Sequence, residues 1–599
     1  MPSIHHQFII TAIKKDFPSR ERFLKFKKQF YSEHKLPQPT NADIRELYEK
    51  MIAQKQTKRK PSFEKSMLSR VVRTQSGVAV VAVLTKPYDC PGKCAFCPNE
   101  DNMPKSYLSN EPAVMRAIMN KFNPYKQIQS RLHALMLNGH STDKIELIVM
   151  GGTFSYFPKR YQTWFIKECF RACNEYPQSR KSKGKSQKSL LEEQRKNEKA
   201  KTRIVGLTLE TRPDWINQKE IINFRRLGCT RVELGVQSIY DEILKKNNRG
   251  HLTDATIQAT KLLKEASFKI NYHMMPGLYG STPGVSKVWP TFINSQCNED
   301  GERRECGAKG RTFSERPNKK LSQFSDFQMF KTLFTNSDYQ PDMLKIYPTV
   351  VIKETLLYRW WKEGKYQPLD NKVFEELVIK IKNEAIPPYV RIQRLVRDVP
   401  LPSIEAGPTI SNLRQIIAPK AHCQCIRCRE IKDAYGTSQK FIKSKVENPE
   451  PTLNRISYSA SGGQEIFLQF IDQNSRLYAL LRLRINNLET TKNHFIPELQ
   501  NSAIIREVHT YGKLVPISKN DKVNGEAGEN TMGHKNSPQH TGLGKQLLKE
   551  AEEIARKGLT KLGIPKSKQK ITVISGIGVR DYYRKNDYRL QGTYMVKGL

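Results

Sequence analysis

The chain has 599 residues, a hydrophobic content of 38%, and 101 lysines and arginines against 59 aspartates and glutamates, a formal net charge of +42. That length exceeds what one hydrophobic core serves, so several domains are expected, and the charge points to a polyanionic partner, nucleic acid first. No apolar run reaches transmembrane length, no signal peptide opens the chain, and the cysteines cluster as in metal sites of a reducing compartment, so membrane and secreted classes are set aside for a cytoplasmic protein.

Residues 1–75 read as a basic helical arm. Lys14, Lys15, Arg20, Arg22, Lys25, Lys27 and Lys28 alternate with Phe17, Phe23, Phe26 and Phe30, the pattern of an amphipathic helix with one apolar and one cationic face. A second helix is expected from about Asn41 to Gln56. Basic residues interleaved with aromatics suit nucleic acid, and nucleic-acid contact is expected here; the alternative is a solvated charged face.

From residue 76 to about 400, apolar runs alternate with helical stretches. Expected strands are Val78–Thr85, Ile145–Met150, Ile204–Leu209, Arg231–Val236, Lys269–Met274, Met343–Ile346 and Val390–Leu395. Crossover-length connections between them predict a parallel βα sheet, an open barrel. Cys90, Cys94 and Cys97 follow the first strand at spacing C-x3-C-x2-C, where barrels carry their ligand loops. Soft thiolates in a short turn select zinc or an iron–sulfur cluster. A structural zinc wants a fourth ligand nearby, which this loop lacks, whereas a [4Fe–4S] cube on three cysteines keeps one iron open. Gly151-Gly152 at the second strand end lets backbone approach a ligand closely. Glu210–Asp214, Gln237-Ser238, His273–Pro276 and Lys345–Pro348 fall on the same rim. Residues 177–203, rich in lysine and serine without an apolar face, and 279–322, with isolated Cys297 and Cys306, read as surface insertions.

Residues 401–448 read as a metal-binding linker. Cys423, Cys425 and Cys428 form a C-x-C-x2-C group, a zinc signal with a second iron–sulfur cluster as the alternative; His422 is a candidate fourth ligand, awkwardly adjacent to Cys423. Residues 449–599 change to an antiparallel texture, with strands at Glu465–Ile471, Leu477–Ile485, Ala503–Tyr511 and Ile571–Ser575. Gln539-His540-Thr541-Gly542-Leu543-Gly544-Lys545 opens an amphipathic helix, Gln546 to Lys557. A glycine-rich turn before a helix offers free N–H groups and a positive dipole end to a pyrophosphate. Gly576, Gly578 and a helix carrying Tyr582-Tyr583-Arg584-Lys585 follow. That order is the coenzyme A site of the GNAT acetyltransferase fold.

The cysteine spacing, with Phe96 before the last cysteine, is that of radical S-adenosylmethionine (SAM) enzymes. Together with the GNAT half, the chain resembles the Elongator catalytic subunit family, which forms carboxymethyluridine at the tRNA wobble uridine. The resemblance is carried by Ser76–Ala82, Glu111–Ala117, Met150–Phe154, Glu210–Asp214, Glu233–Ser238, Asn248–His251, Arg506–Gly512, Tyr582–Lys585 and Leu590–Lys597. It implies that Cys90, Cys94 and Cys97 hold a [4Fe–4S] cluster binding SAM, with Gly151 and Gly152 at the SAM amino group. It implies acetyl-CoA contacts at Lys144, Glu507, Val508, His509, Thr510, Gly542, Leu543, Gly544, Lys545 and Tyr583, with Tyr583, or else Tyr582, beside the thioester. A deoxyadenosyl radical would take hydrogen from the acetyl methyl group, and the carbon radical would add to the uridine. Zinc, an electron donor, and Elongator-type partner subunits or a homodimer are further expectations. Asn586-Asp587 stands where the family has a glycine. The alternative is a protein lysine acetyltransferase with a purely structural cluster.

Overall fold

The computed structural model describes residues 3–68, 78–177, 188–285, 324–431, 451–511 and 542–599. Cys297, Cys306 and the stretch Gln539-His540-Thr541 lie outside them. Among the described residues no helix is long and apolar enough to cross a membrane.

The N-terminal arm is a small bundle: α1 Ile4–Lys14, α2 Arg20–Glu33, α3 Asn41–Ala53 and α4 Pro61–Ser66. The expected continuous helix from Lys14 to Phe30 is broken. Pro18 cannot sit in a helix interior, and the Ser19 hydroxyl accepts from Arg22 N at 3.3 Å to start α2. Thr40 and Asp43 cap α3 reciprocally. The interleaved aromatics point inward. Phe8, Phe23, Tyr31, Tyr48 and Phe63 are buried in a core of their own, with Phe17, Phe26 and Phe30 packed against it. They therefore hold the bundle together rather than stand ready for bases, and Lys27 is buried too, its Nζ donating to Pro39 O at 2.8 Å and Asn41 Oδ1 at 2.7 Å. Lys14, Lys15, Arg20, Arg22, Lys25 and Lys28 remain exposed.

Seven parallel strands follow: β1 Ala79–Leu84, β2 Lys144–Met150, β3 Arg203–Thr211, β4 Arg231–Gln237, β5 Lys269–Met274, β6 Met343–Ile346 and β7 Arg391–Arg394. They pair in sequence order without closing, a half-barrel. The runs are Val/Ile/Leu-rich because helices cover the outer face; Phe165, Ile166, Phe170, Ile221 and Phe224 fill that layer.

The second sheet has the order β13-β14-β12-β11-β10-β9-β8, with β8 Thr452–Ala460, β9 Gly463–Ile471, β10 Leu477–Asn486, β11 Ser502–Thr510, β12 Lys570–Val573, β13 Arg589–Gln591 and β14 Tyr594–Gly598. Only β11 and β12 run parallel, paired from Ser502–Ile505 to Lys570–Val573, and beyond Ile505 the β11 end leaves its partner. The helix Leu543–Lys561 packs Leu547, Leu548, Ala551, Ala555 and Leu559 onto this sheet. β8, β13 and β14 are absent from the sequence reading. β8 is an edge strand with mostly exposed side chains, and β13 has three residues, so neither carries a strong alternation.

The two sheets meet over buried charge. Arg506 of β11 donates to Asp342, just before β6, at 2.9 Å, and to Glu465 of β9 at 2.8 Å; Arg482, Arg484 and Lys264 crowd the same carboxylates. The expectation for residues 177–203 also needs correction at this interface. Leu190–Asn197 is a helix, started by a Ser189–Glu192 capping box, and just after it Glu198 takes Arg580 at 3.0 Å and Arg584 at 2.7 Å from the second domain. Its polarity serves that contact rather than a solvated loop. Asp587 takes the left-handed conformation (φ 69°) that its short polar side chain tolerates.

Candidate active site

The cysteine loop sits at the C-terminal mouth of the half-barrel. Ala95 N donates to Asn247 O at 3.0 Å, and Leu357 N to Ala95 O at 2.9 Å, so the loop is pinned from two sides. Cys90 Sγ lies 3.7 Å from Thr153 Oγ1. Burial first, then the neighbouring Cys94, push the Cys97 thiol up to about 11, against the pull of Arg397. The sulfurs of Cys90, Cys94 and Cys97 do not gather within 4.8 Å of one another, as those of Cys423, Cys425 and Cys428 do. Three soft thiolates in one short loop that offers no fourth ligand are a donor set that suits a [4Fe–4S] cluster with one iron left open. Gly151 (φ 131°) and Gly152 (φ 90°) adjoin it. A Cβ on Gly151 would collide with Thr85 Oγ1, a buried hydroxyl with no hydrogen-bond partner among the described residues.

Below the mouth the lumen is lined with charge. Glu233 of β4 accepts from His273 Nε2 at 2.9 Å, from Asn271 Nδ2 at 3.2 Å and from Lys345. Burial opposes its charge, but Lys345 and then His273 prevail and hold its carboxyl well below the usual range. Tyr107 donates to Glu210 at 2.9 Å, and Arg397 lies over the Tyr107 ring at 5.2 Å while pairing with Glu111 at 3.0 Å. Glu210, His273 and Lys345 were legible as strand-end residues. Tyr107 and Arg397 were not, because only the fold brings these loops together.

At the opposite, N-terminal ends of the barrel strands stands the end of β11. Glu507 accepts from Lys269 Nζ of β5 at 3.0 Å and from Arg482 Nε at 2.9 Å. Burial works against its charge, yet Lys269 and Arg482 keep it far below the ordinary carboxylate range. The His509 ring lies tilted against Tyr511, centroids 4.3 Å apart, and burial lowers its pKa. Val508 packs against the second core. Lys144 opens β2 at the same end of the barrel, its pKa lowered by burial against the pull of Asp143.

Gly542 caps the long helix in a left-handed conformation (φ 84°), with no atom of the described residues within 4 Å of where a Cβ would stand, and Leu543, Gly544 and Lys545 form the first turn. A Cβ on Gly544 would lie 2.9 Å from the Tyr582 hydroxyl and 3.7 Å from Thr510 Oγ1. The β11 end, the helix N-terminus and Tyr582 therefore converge at one place, where the positive end of the helix dipole suits an anion. Tyr583 is buried in the second core, 5.3 Å from the Tyr582 ring, and burial raises its hydroxyl strongly. Gly576 and Gly578, expected within the coenzyme site, serve differently. A Cβ on Gly576 would collide with Val205 O, and one on Gly578 would lie 2.6 Å from Arg203 Cβ, so their smallness seats the second domain on β3.

In the linker, Cys423, Cys425 and Cys428 place their sulfurs within 4.8 Å of one another and could hold a metal ion; His422 is not part of the group. Ile426 N donates to Val390 O, Ile431 N to Leu477 O, and Arg429 to Gln469 Oε1 at 2.9 Å. The cluster thus sits between β7 of the barrel and the second sheet.

A three-cysteine loop at the mouth of a parallel half-barrel, joined to a mixed sheet, defines a radical SAM protein with an appended second domain. Residues 86–284 match the Radical SAM superfamily and 341–421 the Radical_SAM C-terminal domain. The chain is 41% identical over 542 residues to the tRNA uridine(34) acetyltransferase of Methanocaldococcus infernus, covering 88% of this chain and 87% of that protein. It is 35% identical to human Elongator complex protein 3, covering 90% and 88%. The solved structure of archaeal Methanocaldococcus infernus Elp3 lacking residues 1–46 is 37% identical, with a TM-score of 0.64, covering 88% of this chain and all of that one. The chain belongs to the family of the tRNA uridine(34) acetyltransferases and Elongator complex protein 3.

Proposed function

We propose that this chain is a radical SAM enzyme of the acyltransferase class that forms 5-carboxymethyluridine at the wobble uridine of tRNA, with acetyl-CoA as the carbon donor. Its relatives are named for uridine 34 of tRNA. One observation carries the reading. The cysteine loop and the β11 end address opposite ends of one charged half-barrel, and the Lys269–Glu507 pair joins the second site to the barrel. When bound, the cluster and SAM supply a carbon-centred radical for hydrogen abstraction.

The chain's own residues do the rest. Cys90, Cys94 and Cys97 hold the cluster, and Gly151 and Gly152 leave room for SAM. Glu507 to Thr510, Lys144 and the first turn at Gly542 to Lys545 take acetyl-CoA, and Tyr582 and Tyr583 border its thioester. Exposed lysines and arginines of α1 and α2 take tRNA phosphates. Cys423, Cys425 and Cys428 hold a structural zinc between the domains, with the architecture divided at about 75, 400 and 448. The setting is the cytoplasm, with a low-potential electron donor and Elongator-type subunits or a second copy as further partners.

The test is mass spectrometry of nucleosides from tRNA incubated with the reduced holoenzyme, SAM and methyl-labelled acetyl-CoA. Labelled carboxymethyluridine together with 5′-deoxyadenosine is expected. Acetylated lysine without 5′-deoxyadenosine would replace this reading with a protein acetyltransferase.

A further inference from the structure

Three guanidinium groups surround the cysteine loop, and they are not equivalent. Arg212 is fixed by Asp214 through two bonds of 2.9 and 2.8 Å. Its Nη1 is buried without a hydrogen-bond partner among the described residues, and a Cβ on Gly92 would collide with it. Arg397 is paired with Glu111 at 3.0 Å. Arg249 differs from both: its Nη1 donates to Cys94 Sγ at 3.4 Å and its Nη2 to Gly235 O. No carboxylate pairs with it among the described residues, and it is 5% exposed. Asp214 and Glu111 are engaged by Arg212 and Arg397. One buried, uncompensated positive charge therefore rests on a thiol of the cluster loop.

We propose that Arg249 is a positioning residue that sets the reduction potential of the cluster, a proposal resting on the radical SAM reading. Reduction adds one electron, and so one negative charge, to a cluster held by three thiolates, the electron coming from an external one-electron donor. A fixed cation at Cys94 stabilises the reduced form more than the oxidised form. A hydrogen bond to the sulfur acts in the same direction, by withdrawing density from the thiolate. Gly235 accommodates the arrangement. A Cβ on Gly235 would lie 2.8 Å from Arg249 Nη2, so a bare strand position lets the guanidinium sit where it does without shifting.

The experiment is an EPR-monitored redox titration of the reconstituted full-length protein without tRNA, with iron counted on each sample. Wild-type protein lacking a four-iron signal would remove the radical SAM reading itself, separately from this proposal. Arg249→Gln keeps a donor and removes the charge. At the wild-type midpoint, its ratio of reduced to oxidised cluster should fall about tenfold, a shift of about 59 mV for one electron. Full iron with an unmoved midpoint overturns the proposal. Should the Gln variant lose iron, Arg249→Lys decides. A midpoint keeping more than half of the wild-type ratio supports the charge. A tenfold fall, or loss of iron, assigns Arg249 to loop assembly alone and overturns it.

Discussion

Asp342→Asn tests how the two domains are held together. Asp342 is fully buried, takes Arg506 at 2.9 Å and Ile270 N at 2.9 Å, and lies 3.5 Å from Arg482 Nη1. Arg482, Arg506 and Lys264 share it, while Arg484, Arg506 and Lys264 meet Glu465 and Arg482 also meets Glu507. The substitution keeps volume and one acceptor but leaves those four cations with two carboxylates. Breaking a buried pair by removing one partner costs about 3–5 kcal/mol. The surviving acceptor and Arg506's bond to Glu465 place this case at the lower end, about 3 kcal/mol. For units of 150–250 residues, 1 kcal/mol moves Tm by roughly 2–4 °C, so a fall of about 6–12 °C is expected. Lys264, already pulled down to about 8 by burial against Glu465 and Asp342, should then lose its proton at neutral pH. Calorimetry of the variant beside Glu363→Gln gives the comparison. The Glu363–Lys365 pair is exposed, and its loss should move Tm little. Equal shifts for the two variants would refute the view that this cluster, rather than apolar contact alone, fastens the domains.

Cys94→Ala should abolish cluster iron and SAM cleavage together while leaving acetyl-CoA affinity within twofold, checked by iron assay, product chromatography and calorimetric titration. Tyr582→Phe removes the hydroxyl over Gly544 and should weaken acetyl-CoA binding by about 1 kcal/mol, roughly fivefold. Tyr583→Phe, in the core, should preserve folding; if it alone impairs binding, Tyr583 rather than Tyr582 faces the coenzyme. Asp326 is buried, which pushes it up to about 7 against the hydrogen bonds from Gly277 N and Ser281. The folded chain then keeps a proton that the unfolded chain has lost, so its contribution to stability declines as pH rises from about 4 to 7. Asp326→Asn should raise Tm by several degrees at pH 8 and by about a third as much at pH 5; no difference between the two pH values would contradict the buried-acid account. Cys425→Ala should lose about one zinc per chain and lower expression of folded protein, since binding energy at such a site is folding energy; a well-folded variant with unchanged metal content would remove the structural role.

Much of the fold was written locally. Most of the runs that became β1 to β7 are short, apolar and bounded by polar strand ends, a pattern that a largely buried parallel strand leaves in the sequence. The C-x3-C-x2-C loop carried its own chemistry, because three thiolates within eight residues need no distant partner to be recognised. The glycine cap at Gly542 was legible for the same reason: backbone conformation is a local property.

Other features came into being only when distant segments met. Phe23 and Phe26 have the same spacing whether they face RNA or Phe8, and only packing chose the bundle core. The lysine-rich run before β3 gave no sign that Glu198 would receive Arg580 and Arg584 from the second domain. Gly576 and Gly578 looked like coenzyme glycines until β3 was found against them. Arg249 reaches Cys94 across 155 residues, and no periodicity marks such a contact. Sequence alone determined the seven barrel strands and which thiols stand together, because those depend on neighbours along the chain. Tertiary structure decided which charges are compensated, because pairing depends on neighbours in space and on the water that burial removes.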